Sequence, residues 1–214
     1  DPENRYVYEA GLKGSGRGVS CILQLFFQYI KGFQSNIFIG TGFVLRNAGK
    51  QSVKGIEFES TVRPAAGLSL GLAATFLRPK YDNFTNSAFG DATGIKVADI
   101  PRFSGTLSAD YDHDLGDSGS LLFHADFHHE SKIYVVEGLP GFFVTNPATG
   151  AVDVGPGLAE ARNYNREVNE LNASLTWAMK NGLELTAWGR NITNDRYINT
   201  VFDSPAQAGS LRKR

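Results

Sequence analysis

The chain has 214 residues, with 21 Lys and Arg against 22 Asp and Glu and a net charge of −1, so no basic surface argues for nucleic acid and no acidic tail argues for disorder. Its lone cysteine, Cys21, excludes an internal disulfide framework and a thiolate-rich zinc site. Gly at 24, Phe at 15 and Tyr at 8, with Met at 1, suit strands punctuated by turns.

Residues 1–5 show no charged n-region leading into an apolar core, so an exported protein must have lost its secretory signal or the chain is a fragment. Arg5 to Lys13 and Val19 to Gln34 are strand-like. The second is apolar on both faces between Ile22 and Phe27, and a buried helix is the competing reading because a short apolar run does not fix its period. Gln24 and Gln28 interrupt it and Lys31 ends it, short of the ~20 residues that a spanning helix needs. Clear period-two alternation begins at Val53. From Ile56 to Arg63, Ile56, Phe58, Ser60 and Val62 oppose Glu57, Glu59, Thr61 and Arg63. From Leu68 to Phe76, Leu68, Leu70, Leu72, Ala74 and Phe76 oppose small or polar residues. The split recurs from Arg102 to Tyr111, from Leu121 to His128, from Leu171 to Trp177 and from Leu183 to Trp188.

The connections alternate in length. Gly14 to Gly18, Pro64 to Gly67, His113 to Gly119 and Met179 to Gly182 are tight and Gly-rich; Ser35 to Ser52, Pro79 to Pro101 and Tyr134 to Glu167 are long. Outer-membrane barrels have this arrangement, with short periplasmic turns and long extracellular loops. Strands of about 11 residues at ~3.4 Å each, tilted by ~40°, cover roughly 28 Å of membrane normal, enough for an apolar band of ~25 Å. Tyr29, Tyr111, Tyr134, Trp177 and Tyr197 fall near predicted strand ends, as an interfacial aromatic girdle requires. Ordinary aromatics in a soluble core are the alternative. Against it stands the opposite face, with Glu57, Glu59, Arg63, Arg102, Asp110, His124, Asp126 and Glu184, whose charges need water or each other.

Three segments, taken together, resemble the C-terminal half of TonB-dependent outer-membrane receptors. Asp1-Pro2-Glu3 followed by Tyr8-Glu9-Ala10-Gly11-Leu12-Lys13 resembles that family's "PE … YE-x-G-x-K" strand. Asn47-Ala48-Gly49 leading to Gly55-Ile56-Glu57-Phe58-Glu59 resembles its "N-x-G … G-x-E-x-E" strand. Gly189-Arg190-Asn191-Ile192-Thr193-Asn194-Asp195-Arg196-Tyr197 resembles its late "N-L-x-(D/N)-x-x-Y" segment. The resemblance implies an all-β fold: an antiparallel transmembrane β-barrel segment, about eight strands of a barrel that in such transporters has ~22. Residues 1–214 are then a partial barrel domain, with the family's plug, its TonB box and its aromatic-ended final strand absent from the chain. The implied location is the outer membrane of a Gram-negative bacterium, and the implied role is TonB-dependent uptake of a scarce nutrient such as a ferric siderophore. The implied partners are outer-membrane lipid, a small-molecule chelate and, through the plug region, the TonB complex; nucleic acid is not expected.

No cofactor, catalytic residue or resident metal is expected. His124, Asp126, His128 and His129 are the one cluster resembling metal-ligand chemistry, yet a row of lumen-facing polar residues accounts for it better. Glu57 and Glu59 could mimic an acid–base carboxylate pair, but lumen glutamates beside Arg63 or Arg102 explain them. There is no Gly-x-Ser-x-Gly elbow, and Gly14 to Gly18 lacks the Lys and following helix of a phosphate loop. In the resembling family, ligand selection falls to extracellular loops, so Phe84, Asn86, Phe89, Phe142, Phe143 and Asn146 are the candidate ligand contacts, by stacking and hydrogen bonding to an organic chelate. The competing functions are a small complete outer-membrane barrel with a structural or adhesion role, and a soluble β-sandwich that binds carbohydrate.

Overall fold

A strand whose side chains alternate between apolar and small or polar presents two unlike surfaces, and its register is set by which neighbour each surface must meet. The computed structural model describes residues 2–38, 43–87, 90–203 and 208–212. Its elements, in chain order, are β1 (Asn4–Gly16), β2 (Val19–Phe38), β3 (Phe43–Ala65), β4 (Leu68–Asn83), β5 (Phe103–Asp114), β6 (Ser120–Tyr134), β7 (Val144–Thr145), β8 (Val152–Asp153), α1 (Gly155–Ala161), β9 (Asn165–Ala178), β10 (Glu184–Gly189), β11 (Ile198–Asp203) and β12 (Ala208–Arg212). Eight of these strands form one antiparallel sheet in the order β1-β2-β3-β4-β5-β6-β9-β10. The other paired strands among the described residues are the two-stranded β7–β8 and β11–β12.

This is the expected fold class, and it removes two alternatives. A sandwich needs a second sheet across the first, and a complete small barrel needs its edge strands paired. Here β1 and β10 are separate edges of an open sheet.

Register sorts the side chains as the alternation predicts. Leu72, Leu107, Phe127 and Leu171 form one row across four strands. Asp110, His124, Ser174 and Trp188 form a row on the other face. The apolar face is uncovered: Leu107 is 58% exposed, Leu175 47% and Phe123 42%. A contiguous apolar surface of this extent, bounded by polar loops, is the lipid-facing band of a membrane barrel.

The buried-helix reading of Ile22 to Phe27 is wrong, because the segment lies inside β2, paired on both sides with β1 and β3. Its inner face is apolar for a local reason. The Phe26 ring covers Gly55 so closely that a Cβ there would fall 2.2 Å from it. Of the expected long loops, Ser35 to Ser52 is largely strand, since β2 continues to Phe38 and β3 begins at Phe43, and Pro79 to Pro101 opens as strand, since β4 runs to Asn83. Pro79 is tolerated because beyond Phe76 the pairing of β4 with β5 has ended, leaving an edge that needs no N–H. Tyr197, expected in the aromatic girdle, instead turns inward and donates its hydroxyl to Glu170 at 2.9 Å.

The short turns require positive φ. Arg17 at φ 43° and Gly18 at φ 79° form a type I′ pair that joins β1 to β2. A Cβ on Gly18 would stand 3.0 Å from the Arg63 carbonyl oxygen. Gly18→Ala is therefore expected to lower stability by about 1–2 kcal/mol, read as the shift in urea midpoint of the folded receptor in lipid vesicles.

After β10 one backbone bond, from the Ile192 N–H to the Leu171 carbonyl at 2.8 Å, is joined by several side-chain bonds to β9 and within the segment. Asn191 accepts the Asp195 N–H at 2.8 Å and donates to the Asp195 carbonyl at 2.9 Å. Asp195 accepts the Asn169 N–H at 2.6 Å, and Thr193 donates to the Asn169 carbonyl at 2.9 Å. The Asn-x-Thr-Asn-Asp-x-Tyr part of the late motif thus clasps this segment to β9.

Candidate ligand-binding site

The connections on the side away from the tight turns fold into structured loops with small cores of their own. Between β4 and β5 the chain doubles back, with the Gly94 N–H donating to the Tyr81 carbonyl at 2.7 Å and the Ala92 N–H to the Phe84 carbonyl at 2.9 Å. Tyr81, Phe84, Ala92 and Val97 pack together, with Phe33 and Ile100 against them. Asp91 accepts the Thr93 N–H at 2.9 Å, and hydrogen bonding to Thr93 holds its carboxyl below the usual range. Between β6 and β9, Leu139 and Ala161 pack with Val201 of β11, so the segment after β10 closes over this loop.

The two loops enclose a cavity of about 340 Å³. Its apolar wall includes Ile95, Val97, Ile133 and Leu158, and Lys96, Arg102 and Arg162 bring positive charge into it. Two carboxylates border the same space, and both are engaged. Glu137 accepts the Tyr81 hydroxyl and, at 3.5 Å, the Ala98 N–H. Asp99 meets Arg166 at 3.3 Å. Among the described residues Lys96, Arg102 and Arg162 make no salt bridge. Burial, and then the charge of Arg102, lower the Lys96 pKa below its ordinary value. A pocket in which cations disfavour one another is a pocket that an anion would stabilise.

Residues expected from sequence to meet a ligand are dispersed. Phe84 is buried at 2% exposure and stacks edge-on to Tyr81 at 5.0 Å, so it supports the loop from within. Phe143 lies against Gly157 of α1, where a Cβ would fall 2.5 Å from its ring. Asn146 accepts the Ala148 N–H at 2.9 Å and caps its own turn. Asn86 and Phe142 are exposed on the loop surfaces, and Phe89 lies outside the described residues. The cavity cations escaped the sequence reading, except Arg102, which the alternation placed on the inner face. Lys96 and Arg162 sit in stretches without periodicity, so nothing local marked them.

The histidine cluster is split by the sheet. His124 contacts Asp110 at 2.6 Å and Asp126 at 3.3 Å on the inner face, and His128 contacts Thr106 at 2.9 Å. His129 belongs to the opposite face and contacts Asn169 at 2.8 Å. Among the described residues no three His, Cys, Asp or Glu side chains converge on a metal position.

Residues 1–192 match a family model described as TonB dependent receptor-like, beta-barrel. No curated protein matches the chain. Among solved structures, the ferric yersiniabactin uptake receptor FyuA of Yersinia pestis is similar at TM-score 0.72 and 20% identity, over 99% of this chain and 28% of that one. The ferripyoverdine receptor of the Pseudomonas aeruginosa outer membrane is similar at TM-score 0.64 and 14% identity, over 99% and 26%. The ferric-catecholate import receptor Fiu of E. coli K12 is similar at TM-score 0.61 and 15% identity, over 99% and 27%. At these identities the likeness is one of fold, and the chain spans little more than a quarter of each receptor's length.

Proposed function

We propose, on the premise that this chain belongs to the TonB-dependent receptor-like β-barrel family, that it is an arc of the barrel wall of a receptor that takes up a ferric siderophore or similar anionic chelate. Members of this family are outer-membrane receptors of Gram-negative bacteria. The open eight-stranded sheet fits one part of a larger barrel, with its polar face toward the lumen and its apolar face toward lipid.

The observation that carries the substrate class is the loop cavity. Its volume lies at the low end of the roughly 300–1,000 Å³ typical of small-molecule sites. Its walls are largely apolar, and its unmatched charges are cationic. An organic chelate that holds Fe³⁺ through several anionic oxygens satisfies both: the framework packs on Ile95, Val97 and Leu158, and the oxygens meet Lys96, Arg102 and Arg162. Asn86 and Phe142, exposed on the two loops, meet the ligand as it arrives. Transport inward is then driven by TonB acting through a plug in the lumen.

The test uses the full receptor in a strain lacking its other iron receptors. Radiolabelled iron bound to a panel of siderophores measures binding, and growth under iron limitation with and without TonB measures uptake. Replacing Arg102 and Arg162 by Ala is expected to weaken binding of the anionic chelate by about tenfold or more, since charged hydrogen bonds contribute about 1.5–3 kcal/mol each. Equal binding by wild type and variant, or TonB-dependent uptake of a neutral ligand only, would overturn the reading.

A further inference from the structure

Lys96 differs from the other cations of the loop cavity in its chemistry. Its ammonium can lose a proton, whereas the guanidinium groups of Arg102 and Arg162 stay charged. It also stands on backbone that is pinned on both sides. The Tyr81 N–H donates to the Ile95 carbonyl at 3.0 Å, Val97 is buried in the loop core, and the Ala98 N–H donates to Glu137 at 3.5 Å. These contacts hold the Lys96 Cα at the cavity wall.

The ionisable groups that line the cavity with Lys96 are Asp99 and Arg102 from its own connection, Tyr81 from β4, Tyr134 from β6, and Glu137 and Arg162 from the connection between β6 and β9. Glu137 accepts the Tyr81 hydroxyl; burial, and then the Glu137 charge, push the Tyr81 pKa up, so that this hydroxyl stays protonated. Asp99 is engaged by Arg166 at 3.3 Å. Among the described residues no carboxylate forms an ion pair with Lys96. What surrounds its amine is a largely apolar wall and a neighbouring guanidinium. Both disfavour the ammonium form. An anion seated among Lys96, Arg102 and Arg162 cancels the repulsion and gives the ammonium a partner.

We infer that ligand binding in the loop cavity is linked to proton uptake at Lys96, so that the site holds an anionic chelate more tightly as pH falls through the range in which this amine titrates. The inference rests on the uptake reading for its ligand class and adds the regulation of that site. Where Lys96 is protonated in both the empty and the occupied cavity, pH has no effect. At higher pH the empty cavity loses the proton first, occupation must take one up, and affinity falls as pH rises. Above the range in which the occupied site also releases it, the fall ends.

The probe is benzenetricarboxylate, an apolar ring whose three carboxylates keep a constant charge above about pH 7 and which brings no iron. The intact receptor in detergent is acetylated with trace acetic anhydride over about pH 7 to 11, a range spanning the lysine titration, and modification of Lys96 is quantified by peptide mass spectrometry. Only the free amine reacts, so the midpoint of rate against pH reports its titration independently of its accessibility. In the empty receptor the midpoint is expected below that of a free lysine side chain. Saturating probe is expected to raise it by about one pH unit, the lower end of what an opposite charge nearby does. Affinity for the probe, measured by equilibrium dialysis, is then expected to fall about tenfold across the window in the wild-type receptor. Lys96→Arg, whose charge is fixed, is expected to lose that fall, and whatever pH dependence it keeps belongs to the other groups, Tyr134 among them. An ordinary midpoint in the empty receptor, a midpoint unmoved by bound probe, the same fall in Lys96→Arg as in wild type, or a probe that does not bind each overturns the proposal. The two readings fail separately: absence of uptake for every chelate overturns the transport reading and leaves the Lys96 titration as measured, whereas loss of the linkage leaves chelate uptake intact.

Discussion

An arginine at Leu72 is expected to destabilise the folded barrel in lipid by about 2–4 kcal/mol, while an arginine at the adjacent Ala73 is expected to cost less than about 1 kcal/mol. The two residues occupy one strand and differ in face. Leu72 pairs with Leu107 and is 41% exposed on the apolar side. It lies four residues above the Leu68–Tyr111 pair, roughly 10 Å along the normal, close to the bilayer midplane. A guanidinium there has no water and no partner. Ala73 pairs with Glu59 and Thr106 on the inner face, where an arginine would meet a carboxylate. Reversible urea unfolding in phospholipid vesicles, compared for the two variants, measures the difference. Equal costs would mean that the apolar face does not touch hydrocarbon, and the membrane reading of the sheet would fail with it.

Arg166→Ala is expected to cost about 2–3 kcal/mol, less than the 3–5 of a fully buried pair because two of its partners retain solvent. Its side chain is 13% exposed, against 60% for Asp99 and 24% for Glu130. The guanidinium meets Asp99 at 3.3 Å, Glu130 at 3.5 Å and the Asn199 side chain at 3.2 Å. It thereby ties the β4–β5 loop and β11 to the β6–β9 ladder. Asp99 sits at φ 58°, held also by its N–H to the Tyr134 carbonyl at 3.0 Å. Removing the cation frees this corner and with it one wall of the loop cavity. Faster limited proteolysis within residues 84–102 and 135–164 of the intact receptor, beside the loss of stability, is the expected result. Unchanged cleavage would show that the apolar contacts around Tyr81 and Leu139 hold the loops without it.

The strands from Ile56 onward were legible because lipid and lumen impose opposite chemistry on successive side chains, so the backbone period is written into residue type. The same logic explains where legibility stopped. Above the band β2 and β3 no longer separate lipid from lumen, so the pairing of Gln34 with Asn47 and of Asn36 with Leu45 needs no alternation. A loop and an extended hairpin then look alike. Phe26 left the period of its segment ambiguous in another way: an inner-face aromatic is explained by Gly55 on the neighbouring strand, which no local pattern reveals.

Alternation and turn glycines were sufficient, by themselves, to mark antiparallel strands with two unlike faces, because each is a local consequence of strand geometry or turn dihedrals, whereas the Asn191-to-Tyr197 segment was informative through its resemblance to a family. Only the tertiary structure decided which side chains share the cavity and which strand residues face one another. Lys96 and Arg102 on one connection and Arg162 on another are brought together by two loop cores. Lys31 and Lys50 become neighbours through strand register. Such encounters depend on how distant segments pack, and chain order carries no period from which to read them.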